Sequence, residues 1–173
     1  MIRNRGWYGA QIDLKNATIY LKDGGVGSAQ QSLEIKIGEG TLTYDETRNM
    51  EYVRDRGLLD TVTEGDEEPI EVAFDFTWEF LKAVSTTGWG TPTVEDALKQ
   101  RGEASVWVSS SSDPCEPYAV DIEIHYAPPC GDEQDEIITL PDFRYTSLAH
   151  DLSAGTVSVT GQCNATDAII VRQ

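Results

Sequence analysis

Ile70-Glu71-Val72-Ala73-Phe74-Asp75-Phe76-Thr77-Trp78-Glu79-Phe80 is the stretch that decides the fold class of this chain. Ile70, Val72, Phe74, Phe76, Trp78 and Phe80 fall on one face; Glu71, Ala73, Asp75, Thr77 and Glu79 fall on the other. A strict period of two is the signature of a strand with one face on a core. The run is also long, since strands usually take about five or six residues. Its polar face carries carboxylates and no Lys or Arg.

The same pattern recurs at Ala119–Ala127. Val120, Ile122, Ile124 and Tyr126 point one way and Asp121, Glu123 and His125 the other, again without Lys or Arg. A solvated face usually mixes both signs of charge, so both strands read as sheets with an apolar face and a purposefully acidic one. Shorter strands are predicted at Ala17–Lys22 (Ile19 and Leu21 inward), Leu33–Ile37, Leu58–Val62 and Ser105–Ser109 (Val106 and Val108 inward). Glu136–Leu140, Thr156–Thr160 and Ala168–Val171 complete the set. Turns are marked by Asp23-Gly24-Gly25, Gly38-Glu39-Gly40 and the acidic run Glu64–Pro69. One helix is predicted over 91–102, with Thr91-Pro92-Thr93 at its start, Glu95 and Asp96 in its first turn, Lys99 and Arg101 near its end, and Gly102 as its stop. The fold class is mainly β: an antiparallel β-sandwich or open barrel with one flanking α-helix and a long protruding hairpin.

The 173 residues favour a single domain spanning 1–173. Residues 1–16 have mixed character and read as an N-terminal arm. The protruding hairpin is placed at 40–57, with its tip near Thr47–Met50. It holds β-formers such as Leu42, Tyr44, Tyr52 and Val53 among many charges, and no core of its own. Loops of this length inside a compact domain are usually functional.

A balance of 13 Lys+Arg against 30 Asp+Glu gives a formal charge of −17. That excludes simple wrapping of nucleic acid, which needs cations on the phosphates, and argues against binding to anionic membranes. No signal-peptide core and no membrane-length apolar run is visible, so assembly in a cytoplasm is expected. Cys115, Cys130 and Cys163 are an odd set without a CxxC pair. The strand between Cys115 and Cys130 would hold them roughly 30 Å apart, too far for a bridge; a bridge from Cys163 to either stays open.

No catalytic signature emerges from the residues. His125 and His150 are the two histidines, and HExxH, GxSxG, a phosphate loop and a dinucleotide fingerprint are all missing. No metal or cofactor is expected. Glu71, Asp75 and Glu79 lie about 13 Å apart at each step of four residues along a strand, too far for acid–base partnership and well placed to make a face negative. The reading is a non-enzyme.

Several phrases then resemble the tail tube proteins of long-tailed, siphovirus-like phages. They are Leu33-Glu-Ile-Lys-Ile-Gly-Glu-Gly-Thr-Leu-Thr-Tyr, Asp55-Arg-Gly-Leu-Leu-Asp-Thr-Val, Glu64-Gly-Asp-Glu-Glu-Pro and Phe76-Thr-Trp-Glu-Phe. Pro117-Tyr-Ala-Val-Asp, Ile138-Thr-Leu-Pro-Asp-Phe and Val157-Ser-Val-Thr-Gly extend the likeness over about three quarters of the chain. The resemblance implies a structural virion protein. Its subunits would form hexameric rings, join their sheets into an inner barrel and stack into a tube. Genomic DNA would pass through the lumen. It implies as partners other copies of the chain, the tape measure and the tail terminator, and location in the virion tail. On that reading Glu71, Asp75, Glu79, Asp121 and Glu123 are lumen-facing candidates. Tyr44, Arg48, Met50, Tyr52, Arg54 and Arg56 are inter-subunit hairpin candidates. The alternatives are another virion ring component, such as a tail terminator or capsid decoration protein, and a non-catalytic β-sandwich binding module with Trp89 and Trp107 as aromatic anchors.

Overall fold

A computed structural model describes residues 14–37, 40–78, 92–127 and 135–173. Most of the expected arm, Gly38-Glu39, Glu79, Phe80, Trp89, Thr91 and Cys130 lie outside the described residues. The strands are β1 (Ala17–Lys22), β2 (Ser32–Ile35), β3 (Leu42–Asp45), β4 (Met50–Asp55), β5 (Leu58–Glu64), β6 (Ile70–Thr77), β7 (Val120–Tyr126), β8 (Glu136–Asp151), β9 (Thr156–Cys163) and β10 (Ile169–Arg172), with one helix, α1 (Val94–Lys99). Each pairing is antiparallel. The main sheet runs β2-β1-β7-β8-β9-β6-β3, with β10 also on β8, and β4-β5 form a separate hairpin. This is the β-rich sandwich or open barrel, with a flanking helix and a protruding hairpin, that the alternation implies.

β8 is the pivot. Its first half pairs with β7 and β10, and its second half, from Phe143 to Asp151, pairs with β9. The change of partner falls at Pro141-Asp142. Proline supplies no N–H to a ladder and is confined to edges and bulges. Asp142 has φ of 52° and gives its N–H to the Asp121 carboxylate at 3.0 Å instead of to a strand. The sheet therefore bends here, and its two halves enclose one core. Leu21, Ile122 and Leu140 come from the first half; Ile70, Phe74, Val157 and Val159 from the second; all are essentially inaccessible. Phe143 stands at the bend with its ring centroid 6.0 Å from that of Phe74. Gly161 makes this packing feasible, because a Cβ there would meet the Arg144 carbonyl oxygen at 2.2 Å and the Phe143 ring at 2.7 Å.

Four expectations need correction. Ser105–Ser109 is not a strand: Val106 and Val108 are exposed and Trp107 is buried instead. The reason is Asp23, which is 1% exposed. Its carboxylate accepts from Gly25 N–H (3.0 Å), Gln31 N–H (2.8 Å) and Val108 N–H (3.2 Å), so the segment is tied to the β1–β2 turn. The helix is shorter than 91–102: Thr93 caps it through Oγ1 to the Asp96 N–H, and Gln100, at φ of 53°, ends it before Gly102. β6 ends at Thr77, and Trp78 lies 39% exposed against the His150 ring rather than in the core. The hairpin is displaced along the chain from 40–57 and its tip from Thr47–Met50. Residues Leu42–Asp45 belong to the main sheet, while the hairpin proper is β4–β5 with a two-residue loop, Arg56-Gly57. Both loop residues have positive φ (53° and 81°), the geometry that matches strand twist in a tight hairpin.

Candidate assembly surfaces

The outer face of the second half-sheet is uniform in character. Register places Asp45, Glu71, Gln162 and Arg144 in one row across β3, β6, β9 and β8. Thr43, Ala73, Thr160 and Ser147 form the next row, followed by Asp75, Ser158 and Ala149, then Thr77, Thr156 and Asp151. The alternation of β6 and β9 keeps their apolar partners in the core, so this face is paved with small polar side chains and carboxylates. Its one cation among these rows, Arg144, is already engaged: its guanidinium reaches Glu116 at 3.1 Å and the Pro117 carbonyl at 2.9 Å. The face is therefore net negative. A shallow hollow of about 260 Å³ lies on it between Asp45, Glu71, Thr160 and Gln162.

Both margins of this half-sheet are open among the described residues. β3 ends the strand order, with β6 its one neighbour. On the other side, β7 stays with β8 only as far as Phe143, while β9 follows β8 to Asp151. Residues 144–151 of β8 thus present an unpaired strand edge. Open edges invite pairing with another chain unless something covers them.

The expected lumen set is not one cluster. Glu71 and Asp75 share the face just described with Asp45 and Asp151, neither of which belongs to the expected set. Glu79 lies outside the described residues. Asp121 and Glu123 sit on β7, separated from β6 by β8 and β9, and are engaged locally. Asp121 holds the Asp142 N–H at the bend, and burial, with Asp142 close by, pushes its pKa up. Burial also opposes ionisation of Glu123. Hydrogen bonds from Lys22 (Nζ to Oε2, 2.7 Å) and His125 outweigh it and hold that carboxyl low. Tyr20 stacks edge-on against His125 at 5.1 Å. Asp121 and Glu123 are structural groups on a mixed-charge surface.

The hairpin set also divides. Tyr44 lies in β3, packs on its own core, and has its hydroxyl pKa raised by burial and by Glu46 and Glu136. Arg48 precedes β4 and pairs with Glu64 of the same chain at 3.4 Å. Met50 is half-buried at the root. Tyr52, Arg54 and Arg56 are exposed on the hairpin. Its register puts Tyr52, Arg54, Leu59 and Val62 on one face and Val53, Asp55, Leu58 and Thr61 on the other. Tyr52, Val53, Leu58, Leu59 and Val62 are 50–74% exposed, so both faces bear uncovered apolar area.

Elsewhere the groups are bound up in structure. Glu95 on α1 joins Lys99 (2.7 Å), Arg101 (3.1 Å) and His150 (3.3 Å), tying the helix to the end of β8. Burial opposes its ionisation, yet these hydrogen bonds keep its pKa below the usual value. Cys163 is buried in β9 and its thiol is pushed up to about 12 by burial and the carboxylates of Asp121 and Asp142; Cys115 is exposed and unbridged. Among the described residues no three His, Cys, Asp or Glu side chains are placed to hold a metal ion, and no helix is long and apolar enough to cross a membrane.

The sequence of this chain matches no family model and no curated protein. Its structure is similar to two chains of an extracellular contractile injection system, PVC, in the extended state. One is from the sheath/tube terminator, with a TM-score of 0.57 and 13% identity over 95% of this chain and 99% of that one. The other is from the sheath-tube complex, with a TM-score of 0.51 and 13% identity over 96% of this chain and 95% of that one. At this identity the likeness is one of fold.

Proposed function

We propose that this chain is a ring-forming structural subunit of the tube of a phage-tail-like assembly. One observation carries the reading: a four-stranded half-sheet, open at both margins among the described residues, whose outer face is small, polar and net negative. Copies that pair the β3 edge with the next copy's β8 edge make a head-to-tail contact, and such contacts close into rings when the rotation permits. Closure turns the row of half-sheets into a barrel and removes every exposed margin. A wall lined by Asp45, Glu71, Asp75 and Asp151 repels phosphate, so DNA passes without adhering. The family resemblance supplies six as the number of copies, and the tape measure and tail terminator as further partners. Likeness in fold to two contractile-injection-system chains supports a tail-associated part without catalysis.

The terminator reading is favoured by a specific observation as well: the terminator chain is matched over 99% of its length. Negative-stain electron microscopy of the purified protein across a concentration series separates the readings. Hollow rings that elongate into tubes of uniform bore are expected. Rings that never stack assign the chain to a tube end. Monodisperse single copies at high concentration overturn the ring reading.

A further inference from the structure

The bend in β8 is built from two acids and one hydroxyl. Asp142 holds φ of 52°, which a side chain other than glycine takes only with local support. Its N–H goes to the Asp121 carboxyl at 3.0 Å, and its carbonyl accepts from the Asn164 N–H at 3.3 Å. Its own carboxylate accepts from the Ser110 hydroxyl at 2.8 Å. Ser110 also faces the Asp121 carboxyl, and its N–H is fixed to the Ala119 carbonyl at 2.9 Å. Strands β7 and β8 and the loops before β7 and after β9 thus meet at one joint. Asp121, Asp142 and Ser110 are all half-buried there.

A serine hydroxyl has one hydrogen. Spent on Asp142, it leaves a lone pair turned toward Asp121. An ionised Asp121 would set its charge against that lone pair and against the Asp142 carboxylate. The flanking cations are committed elsewhere: Lys22, opposite Asp121 in the β1–β7 register, pairs with Glu123 at 2.7 Å, and Arg144 pairs with Glu116 at 3.1 Å. Glu123 adds a further negative charge along β7, and Cys163 on β9 is a neutral thiol. Burial, with the charges of Asp142 and Glu123, raises the pKa of Asp121 against the hydrogen bond from the Asp142 N–H. A Ser110 hydrogen turned to Asp121 would lower it too, but that hydrogen is held by Asp142.

We infer that a proton locks the bend of β8: Asp121 carries it and donates to Ser110 Oγ, Ser110 donates to Asp142, and loss of the proton to water loosens the joint between the half-sheets. With the proton the acid pair bears a single negative charge; without it both acids are charged. The unfolded chain gives up this proton at the ordinary carboxylate value, and the folded joint only at the raised one. The lock is therefore complete below the ordinary value, weakens as pH rises from there through the raised value, and levels off above it. The second half of β8 leaves the joint as an open edge, so the direction in which that edge is offered depends on the proton. The lock is a property of the single chain and does not rest on ring formation.

Carbon-13 NMR of the full chain with labelled aspartate carboxyls tests the lock. One carboxyl is expected to titrate above the usual range, and its signal to be missing from D121N. Asparagine tolerates positive φ and keeps an acceptor for Ser110, so D142N should preserve the bend and lower that midpoint by removing the neighbouring charge. Ser110→Ala should lower it as well, because Asp121 loses the acceptor for its proton. Amide hydrogen exchange then reads the joint itself. Protection of the Asp142 and Asn164 N–H groups, corrected for the intrinsic effect of pH, is expected to fall by up to about tenfold per pH unit across the titration and to stay level in D121N. A wild-type chain with no aspartate above the usual range overturns the lock. So does a midpoint that rises in Ser110→Ala, which would make Ser110 a donor to Asp121. Wild-type protection that ignores pH overturns it too. Both wild-type measurements hold even where a variant fails to fold.

Discussion

Replacing Asp23 by alanine tests how the first half of the sheet is held. Three backbone N–H groups, from Gly25, Gln31 and Val108, converge on a carboxylate that is 1% exposed. A hydrogen bond to a charged acceptor contributes about 1.5–3 kcal/mol, and an orphaned buried donor costs a similar amount. The simple sum for three such bonds would be about 5–9 kcal/mol. It overestimates, because Gly25 is only half-buried and water can enter the space left by the carboxylate. A loss of about 3–5 kcal/mol remains, set against the roughly 5–15 kcal/mol that keeps a domain folded. At about 2–4 °C per kcal/mol for a chain of this size, the midpoint falls by roughly 6–20 °C. Asp23→Asn keeps an oxygen for Gly25 and Gln31 but turns an amide donor toward the Val108 N–H. It forfeits one bond and should cost about 1–3 kcal/mol. Differential scanning calorimetry of wild type and both variants measures the order. A midpoint for Asp23→Ala within about 2 °C of wild type, or equal damage from both changes, refutes the reasoning.

Asp121→Asn removes a carboxyl whose pKa is raised in the fold, so its ionisation opposes stability as pH rises from the ordinary value through the raised one. The variant should gain stability relative to wild type at pH 7 and lose that gain near pH 3; urea melts showing an equal difference at both pH values contradict this. Iodoacetamide at pH 8 should modify Cys115 and leave Cys163 untouched in the native protein, since only the thiolate reacts and the Cys163 thiol titrates near about 12; peptide mass spectrometry finding both labelled at one rate rules that out. Deleting Met50–Glu64 and joining Asn49 to Gly65, already bonded at 2.7 Å, should leave the circular dichroism and melt of the remaining sheet intact and abolish stacking in electron micrographs; normal tubes would disprove a role for the hairpin. Replacing Glu71 and Asp75 by Lys should leave the fold intact and make assembled tubes retain DNA in a co-sedimentation assay; tubes as free of DNA as wild type would remove the lumen assignment.

The long alternating strands were legible because each has one wholly apolar face: β6 and β7 lie where Ile70–Phe76 and Val120–Tyr126 place them. The core follows from the same residues. What the sequence hid was decided by side chains reaching across the chain. Val106-Trp107-Val108 alternates like a strand, yet Asp23 takes the Val108 N–H and Trp107 turns inward. The strand expected at Glu136–Leu140 runs on through Pro141-Asp142 to Asp151, because Asp121 satisfies the Asp142 N–H at the bend. That misreading hid the second half of β8, hence the open edge and the carboxylate of Asp151. The hairpin tip is expected near Thr47–Met50 from the sequence; Arg56-Gly57 makes the turn instead, because glycine takes the higher positive φ. Asp45 was legible as a residue but not as part of the acidic row, which only the β3–β6 register creates.

Tube and terminator place different demands on the same molecule, and the hairpin is where they diverge. Edge-to-edge pairing of half-sheets satisfies each copy once the ring closes, and nothing in it calls for a second ring. The β4–β5 ribbon is different: among the described residues nothing covers its apolar faces, where Tyr52, Val53, Leu58, Leu59 and Val62 stay exposed. A ring of such copies would expose several ribbons together, and burying them against further copies would lower the free energy at each step of growth. Growth ends only when those ribbons, or the surfaces that receive them, meet a different chain. A terminator would need just such a chain, the last tube ring, and would stop as a ring without it. On the ring reading those uncovered ribbons favour stacking over a single closed ring, and rings that stay single at high protein concentration would assign the chain to a tube end.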